Sequence, residues 1–229
     1  MPEVCLTFDN GPDPDATPGV LDVLARRRVP AVFFPIGTKL RNAAARGCAE
    51  RAWAEGHALG NHTLNHGAPL GRRGAAEAVA EIAGAEALLA PLRRPSPPTD
   101  AAPSPAWGRA ERLFRPNGGG GAIGPHLLNR AAAAHLVAGG YTVVLWTAVP
   151  GDFRDPEGWP GTALAMLEAA TGTAVLVLHD LPNGAMRHLD RFLGAALDAG
   201  HGFGATPPEA CLPIRRGTPS PGLPHYLAD

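Results

Sequence analysis

Short apolar runs alternate with helix-patterned segments along this chain, and that alternation confines it to a parallel α/β architecture. Residues 4–8, 31–36, 57–60, 142–147 and 174–178 read as strands, mostly apolar and ending at Gly, Pro or a polar group. A shorter run, Leu113-Phe114-Arg115, joins them. Helical spacing covers residues 17–28, with Val20, Leu21, Val23 and Leu24 on one face and Thr17 as the expected N-cap before Pro18. It recurs at 43–55, at 74–92 with Val79, Ile82, Ala85 and Leu89 on one side, and at 125–138, 159–170 and 184–199, the last closing at Gly200. Six or seven strands in this alternation predict one domain over residues 1–229, built on a parallel sheet, open or closed. The pattern breaks twice. Residues 91–105 hold six prolines and read as an extended surface loop, and the tail after Gly204 reads as irregular.

Bulk properties remove several function classes. A 229-residue chain that is 45% hydrophobic buries one good core. A net charge of −1 supplies no basic stripe, which argues against a nucleic-acid partner. Cys5, Cys48 and Cys211 are odd in number and widely spaced, so they read as buried thiols and not as a disulfide framework or thiolate metal site. No basic segment or long apolar run precedes the first strand, so the expected location is cytoplasmic, without a membrane partner.

The polar residues that interrupt the apolar pattern fall at the carboxyl ends of the strands. Asp9 follows the first, His62 the third, Arg115 the short central run, Asp152 the strand at Val143, and His179-Asp180 the strand at Val175. In parallel α/β folds these ends converge on the face where ligands bind. His62 and His66, four residues apart in His62-Thr63-Leu64-Asn65-His66, have a spacing that a zinc-like ion accepts, and Asp9-Asn10 adjoin a Gly11-Pro12 turn. Taken singly these signals are weak: Arg115 also reads as a surface ion-pair partner, and Asp152 as a turn residue beside Pro150-Gly151. His57, His126, His135, His188, His201 and His225 read as structural or exposed. The Gly118 to Gly121 run lacks a following Lys-Ser/Thr and is not a phosphate loop.

The ordered set Thr7-Phe8-Asp9-Asn10-Gly11-Pro12, His62-Thr63-Leu64-Asn65-His66, Arg115-Pro116-Asn117-Gly118-Gly119, Asp152-Phe153 and Leu178-His179-Asp180 resembles the polysaccharide deacetylases of the NodB-homology type, carbohydrate esterase family 4. The resemblance spans about residues 3–200. It implies a distorted (β/α) barrel of about seven parallel strands and metal-assisted hydrolysis of an N-acetyl group or a related C–N bond. It also implies Asp9 as general base, Arg115 as its ion-pair partner, His179 as general acid and Asp152 as the group that orients it. His62 and His66 would bind a divalent metal, zinc being the expected one, with Asn10 at the position of the family's aspartate ligand. Leu178 would line the acyl pocket, and a backbone N–H near Gly118 would help hold the oxyanion.

Three residues depart from the family pattern: Asn10 for an aspartate, Gly118 for a common tyrosine, and Phe153 for a tryptophan. The first should weaken metal binding and the others reshape the walls around a sugar ring. The expected activity is hydrolysis of a non-peptide C–N bond in a small-molecule or sugar-derived amide, and no motif bears on self-assembly. Two other readings stand beside it: a metal-independent amidohydrolase of the allantoinase-like type, and a degenerate deacetylase kept as a binding or regulatory domain.

Overall fold

The computed structural model describes residues 2–93 and 107–228 of the chain. Strand β1, Val4–Asp9, is buried at every position because strands flank it on both edges and side chains cover both faces. Val4, Leu6 and Phe8 enter the layer between sheet and helices, while Cys5 joins the inner cluster and Thr7 and Asp9 meet Arg115. This alternation is the two-residue period of a strand acting on a sheet covered on both sides.

The remaining parallel strands are β2 (Val32–Phe34), β3 (Ala58–Asn61), β4 (Arg112–Phe114), β5 (Tyr141–Val143) and β6 (Ala174–His179). Two short strands from the tail extend the sheet, β7 (Ile214–Arg215) antiparallel to β5 and β8 (Thr218–Pro219) antiparallel to β7, giving the order β6-β1-β2-β3-β4-β5-β7-β8. The tail is therefore partly regular. Its sequence lacks a long apolar run, but Arg216-Gly217 carry φ values of 49° and 78° that turn the chain back on itself.

The sheet curls into the distorted barrel that the family resemblance implies. Beyond β5 the chain stays extended and crosses to β6: the N–H groups of Thr147 and Ala148 both donate to the Val175 carbonyl at 3.1 Å, and Val177 N–H returns to the Ala148 carbonyl at 2.9 Å. A parallel bridge joins Ala148 to Leu176. Six parallel strands thus make the ring. The expected strand over 142–147 is split, its second half pairing on the far side of the closure.

Helices α1 (Thr17–Arg27), α2 (Ala43–Ala54), α3 (Ala75–Leu89), α4 (Arg130–Ala138), α5 (Trp159–Ala169) and α6 (Leu189–Asp198) cover the outside. Two expected helices begin late: short 3-10 turns occupy Pro125–Leu127 and Ala185–His188, and Asn129 caps α4 by accepting from Ala132 N–H. Thr17 does not cap α1. Its hydroxyl accepts from Asp13 N–H and donates to Asp180, while Ala16 holds the cap position. Of the proline-rich stretch, Ala90–Leu92 form a 3-10 turn and residues 94–105 lie outside the described residues. All three cysteines are free and buried. Among the described residues no helix is long and apolar enough to cross a membrane.

His57 gives the fold an acid-sensitive point. It is fully buried between α2 and β3, with Nδ1 accepting from Ala31 N–H at 3.2 Å and Nε2 without a partner. Burial first, then the Arg109 and Arg51 charges, push its pKa down to about 4. The unfolded chain therefore binds this proton below about pH 6.5 while the folded one refuses it, and stability falls as pH drops from there toward 4. The loss attributable to His57 reaches about 3 kcal/mol. Urea unfolding at a series of pH values should show this slope, flattened in His57→Asn, whose side-chain oxygen can still accept from Ala31.

Candidate active site

Arg115 leaves the end of β4 and spans the barrel interior. Its guanidinium is fully buried and donates from Nη1 to Asp9 Oδ1 at 2.8 Å and to Thr7 Oγ1 at 2.6 Å, and from Nε to the Val144 carbonyl at 3.2 Å. Its carbon lies 4.2 Å from the centre of the Phe34 ring, which covers one face. A planar five-donor fork suits this enclosure because carboxylate, hydroxyl and carbonyl can each take a separate N–H. Burial alone pushes the Asp9 carboxyl up, but Arg115, His62 and His179 together outweigh it and hold Asp9 below the usual carboxylate value. One Asp9 oxygen is bonded to Arg115, and the other lies 3.7 Å from His62 Nε2.

His179 closes β6 directly across from Asp9, its register partner. Asp152 holds it twice: Oδ2 accepts the His179 backbone N–H at 2.7 Å, and Oδ1 accepts from ring Nδ1 at 2.9 Å. With Nδ1 committed, Nε2 is the ring atom left to exchange a proton. Burial pushes the His179 pKa down, but the bond and charge of Asp152, with Asp9 and Asp180 beyond, carry it above the ordinary histidine value. Phe153 packs edge-on against the imidazole, with centroids 4.9 Å apart.

His62 and His66 sit on a loop directly after β3. Thr63 and His66 both adopt left-handed backbone, φ 67° and 51°, and the two imidazole centroids approach to 4.8 Å. His62 Nδ1 donates to the Arg115 carbonyl at 2.8 Å, which leaves Nε2 with its lone pair. Burial lowers both pKa values, that of His62 to about 4, so both rings stay neutral at physiological pH. Asn10, also left-handed at φ 70°, lines the same cavity, and its Oδ1 is buried without a hydrogen-bond partner. Two neutral imidazoles beside an unsatisfied amide oxygen are a donor set that a divalent cation would complete. Among the described residues no three His, Cys, Asp or Glu side chains form a cage by themselves, so a metal here would rely on that amide.

These groups share a cavity of ≈ 250 Å³ at the carboxyl ends of the strands. Asp9, Asn10, His62, His66, Gly118, Phe153 and His179 all line it. Leu178 does not. Residues alternate along β6, so Leu178 is buried in the outer layer against the helices, and Val177 and Leu181 present the apolar wall instead. The two-residue period counted back from His179 would have pointed to Val177. Trp146 is a further wall that motif reading passed over; it packs where a Gly118 Cβ would fall 2.6 Å from its ring, and its indole N–H donates to the Gly121 carbonyl at 2.9 Å. Thr7, quoted within the first motif without a role, stands two residues before Asp9, shares its face and takes a bond from Arg115. Asp152 and Arg115 line no part of the cavity and act on it through His179 and Asp9.

The chain is similar to known proteins in both sequence and fold. The polysaccharide deacetylase family profile matches residues 1–121. A chitooligosaccharide deacetylase from Bradyrhizobium sp. (strain ANU 289) is 35% identical over 178 residues, covering 77% of this chain and 70% of the relative. A peptidoglycan-N-acetylglucosamine deacetylase from Bacillus cereus is 29% identical over 182 residues, with 77% and 72% covered. Among solved structures, a family 4 carbohydrate esterase from Streptomyces lividans, bound to acetate, superposes with a TM-score of 0.69 at 20% identity over 93% of this chain and 97% of its own. A Streptococcus mutans esterase of the same family gives 0.68 at 25% identity, covering 88% and 84%.

Proposed function

The chain belongs to the polysaccharide deacetylase family, and from that premise we propose that it removes the acetyl group from an N-acetylated saccharide by metal-assisted hydrolysis. The observation that carries this reading is the pairing of Asp9 and His179 across one cavity, each bonded to its own partner: against burial, Arg115 draws the Asp9 pKa down and Asp152 draws that of His179 up. Asp9, kept ionised by Arg115, accepts a proton from the attacking water. His179, whose pKa Asp152 raises against the opposing effect of burial, delivers a proton from Nε2 to the departing amine. A binding domain has no use for both.

His62, His66 and Asn10 would hold the metal, and a bound ion would polarise the acetyl carbonyl and offset charge on its oxygen. Gly118 to Gly121 line the same cavity. Val177, Leu181, Trp146 and Phe153 exclude water from the acyl side. A volume of ≈ 250 Å³ falls below the usual range for a whole ligand, about 300–1,000 Å³, so it suits the acetamido group and part of one sugar ring. Chitooligosaccharides and peptidoglycan glycan are the substrate classes to try first, because the matched relatives bear those names.

Asn10 is the observation that favours a second reading, hydrolysis without metal. A neutral carbonyl in place of a carboxylate removes one negative charge from the donor set. Losing even an outer partner of a metal ligand costs about 10–100-fold in affinity, so restoring the carboxylate with Asn10→Asp should tighten zinc binding by at least about 10-fold. Competition against a chromogenic chelator reads this directly. If Asn10→Asp binds zinc no better than wild type, Asn10 is not at the metal, and acetate release that survives exhaustive chelation selects the metal-free mechanism.

A further inference from the structure

The loop that carries His62 and His66 holds two residues in left-handed backbone, a conformation that neither threonine nor histidine favours. Something must hold it there. Part of the restraint comes from the neighbouring 3-10 turn, where Gly37 and Thr38 N–H donate to the Thr63 and Leu64 carbonyls at 2.9 and 2.8 Å. Leu64 then sits on Gly84 of α3, where a Cβ would approach its Cδ2 to 2.8 Å. One turn of α3 away stands Glu81, a carboxylate only 4% exposed.

Both Glu81 oxygens are engaged by a single residue. Oε2 accepts the Asn65 backbone N–H at 2.9 Å, and Oε1 accepts from the Asn65 side-chain amide at 2.7 Å. A buried carboxylate is an expensive way to pack a helix on a loop, since an apolar contact would bring the two together without desolvating a charge. What the carboxylate adds is direction: two charge-assisted bonds fix both the backbone and the side chain of the residue immediately before His66. The Arg73 guanidinium, 3.5 Å from Oε1, is the one cation paired with Glu81 among the described residues.

We propose that Glu81 is a positioning residue that acts through Asn65 to set His66 for metal binding; the proposal rests on the metal-site reading given above. Glu81 touches neither imidazole and lines no part of the cavity. Its effect is on the loop geometry, and so on how little the protein must rearrange to present both lone pairs to one ion.

Three proteins test this: wild type, Glu81→Ala and Glu81→Gln. Glu81→Ala should lose about 10-fold in zinc affinity by chelator competition and should speed amide hydrogen exchange at residues 63–66. Glu81→Gln should stay within about 3-fold of wild type, because the Asn65 amide can turn over and give its oxygen to the new N–H₂ group, preserving both bonds while the Arg73 ion pair is lost. A role confined to the ion pair would make the two variants equally weak, and that result overturns the proposal. So does Glu81→Ala with wild-type exchange rates. Should wild type itself take up no zinc, the metal reading fails separately, and the exchange rates alone decide whether Glu81 holds the loop.

Discussion

Replacing Arg115 with methionine is expected to destabilise the protein by about 3–5 kcal/mol and to remove measurable turnover. The size follows from what is left behind. Arg115 is completely buried, and its loss strands Asp9, itself only 5% exposed, as a carboxylate with no cationic partner at Oδ1. It also removes the donor to the Thr7 hydroxyl, which keeps its own bond to the Leu176 carbonyl, and the donor to the Val144 carbonyl. An uncompensated buried charge costs far more than the lost attraction, so the free energy should fall mainly on Asp9. The double variant Arg115→Met/Asp9→Asn should therefore recover part of the stability without recovering activity. Urea denaturation of the four proteins of this cycle measures the coupling. Equal and additive losses would mean that the pair does not carry the energy assigned to it.

The second large effect concerns the acid. His179→Ala should lower turnover by about 10²–10⁴-fold while leaving zinc content unchanged, since His179 belongs to the Asp152 pair and not to the donor set around Asn10. Loss of zinc in this variant would show that the two halves of the site have been divided wrongly. Asp152→Asn makes a finer test. Asp152 helps lift the His179 pKa above the ordinary histidine value, and the protonated ring is the working form, so activity falls as pH rises through that raised value. Removing the negative charge lets burial dominate, and the basic limb of kcat/KM should move to lower pH. A basic limb that stays in place would assign it to another group.

Much of this arrangement could be read from the residues because the barrel rests on unambiguous signals. Cys5, Thr7 and Asp9 share the inner face of β1 by the two-residue period, and Arg115 and His179 end strands whose apolar runs are plain. Where reading failed, a local signal met a tertiary one. Thr17 looks like an N-cap, but the buried Asp180 carboxyl takes its hydroxyl. Burial pushes that carboxyl up to about 7, and Gly11 must lack a side chain because a Cβ would overlap it. Pro125 marks a helix start, but Asn129 offers the better cap four residues later. The family resemblance implies Leu178 at the acyl pocket, but strand geometry turns the side chains of Leu178 and His179 to opposite faces. Glu81 stands within an ordinary alanine-rich helix, and only the fold brings it to Asn65.

The central claim is that Asp9 and a metal held at His62, His66 and Asn10 work together on an N-acetyl group. Metal-free protein titrated with zinc, with acetate release from an N-acetylated chitooligosaccharide followed at each step, tests it most directly. Release should climb with zinc, level off near one equivalent, and fall by about 10²–10⁴-fold in Asp9→Asn that has taken up the same zinc. A rate that is indifferent to zinc, or one that Asp9→Asn retains, would contradict the account.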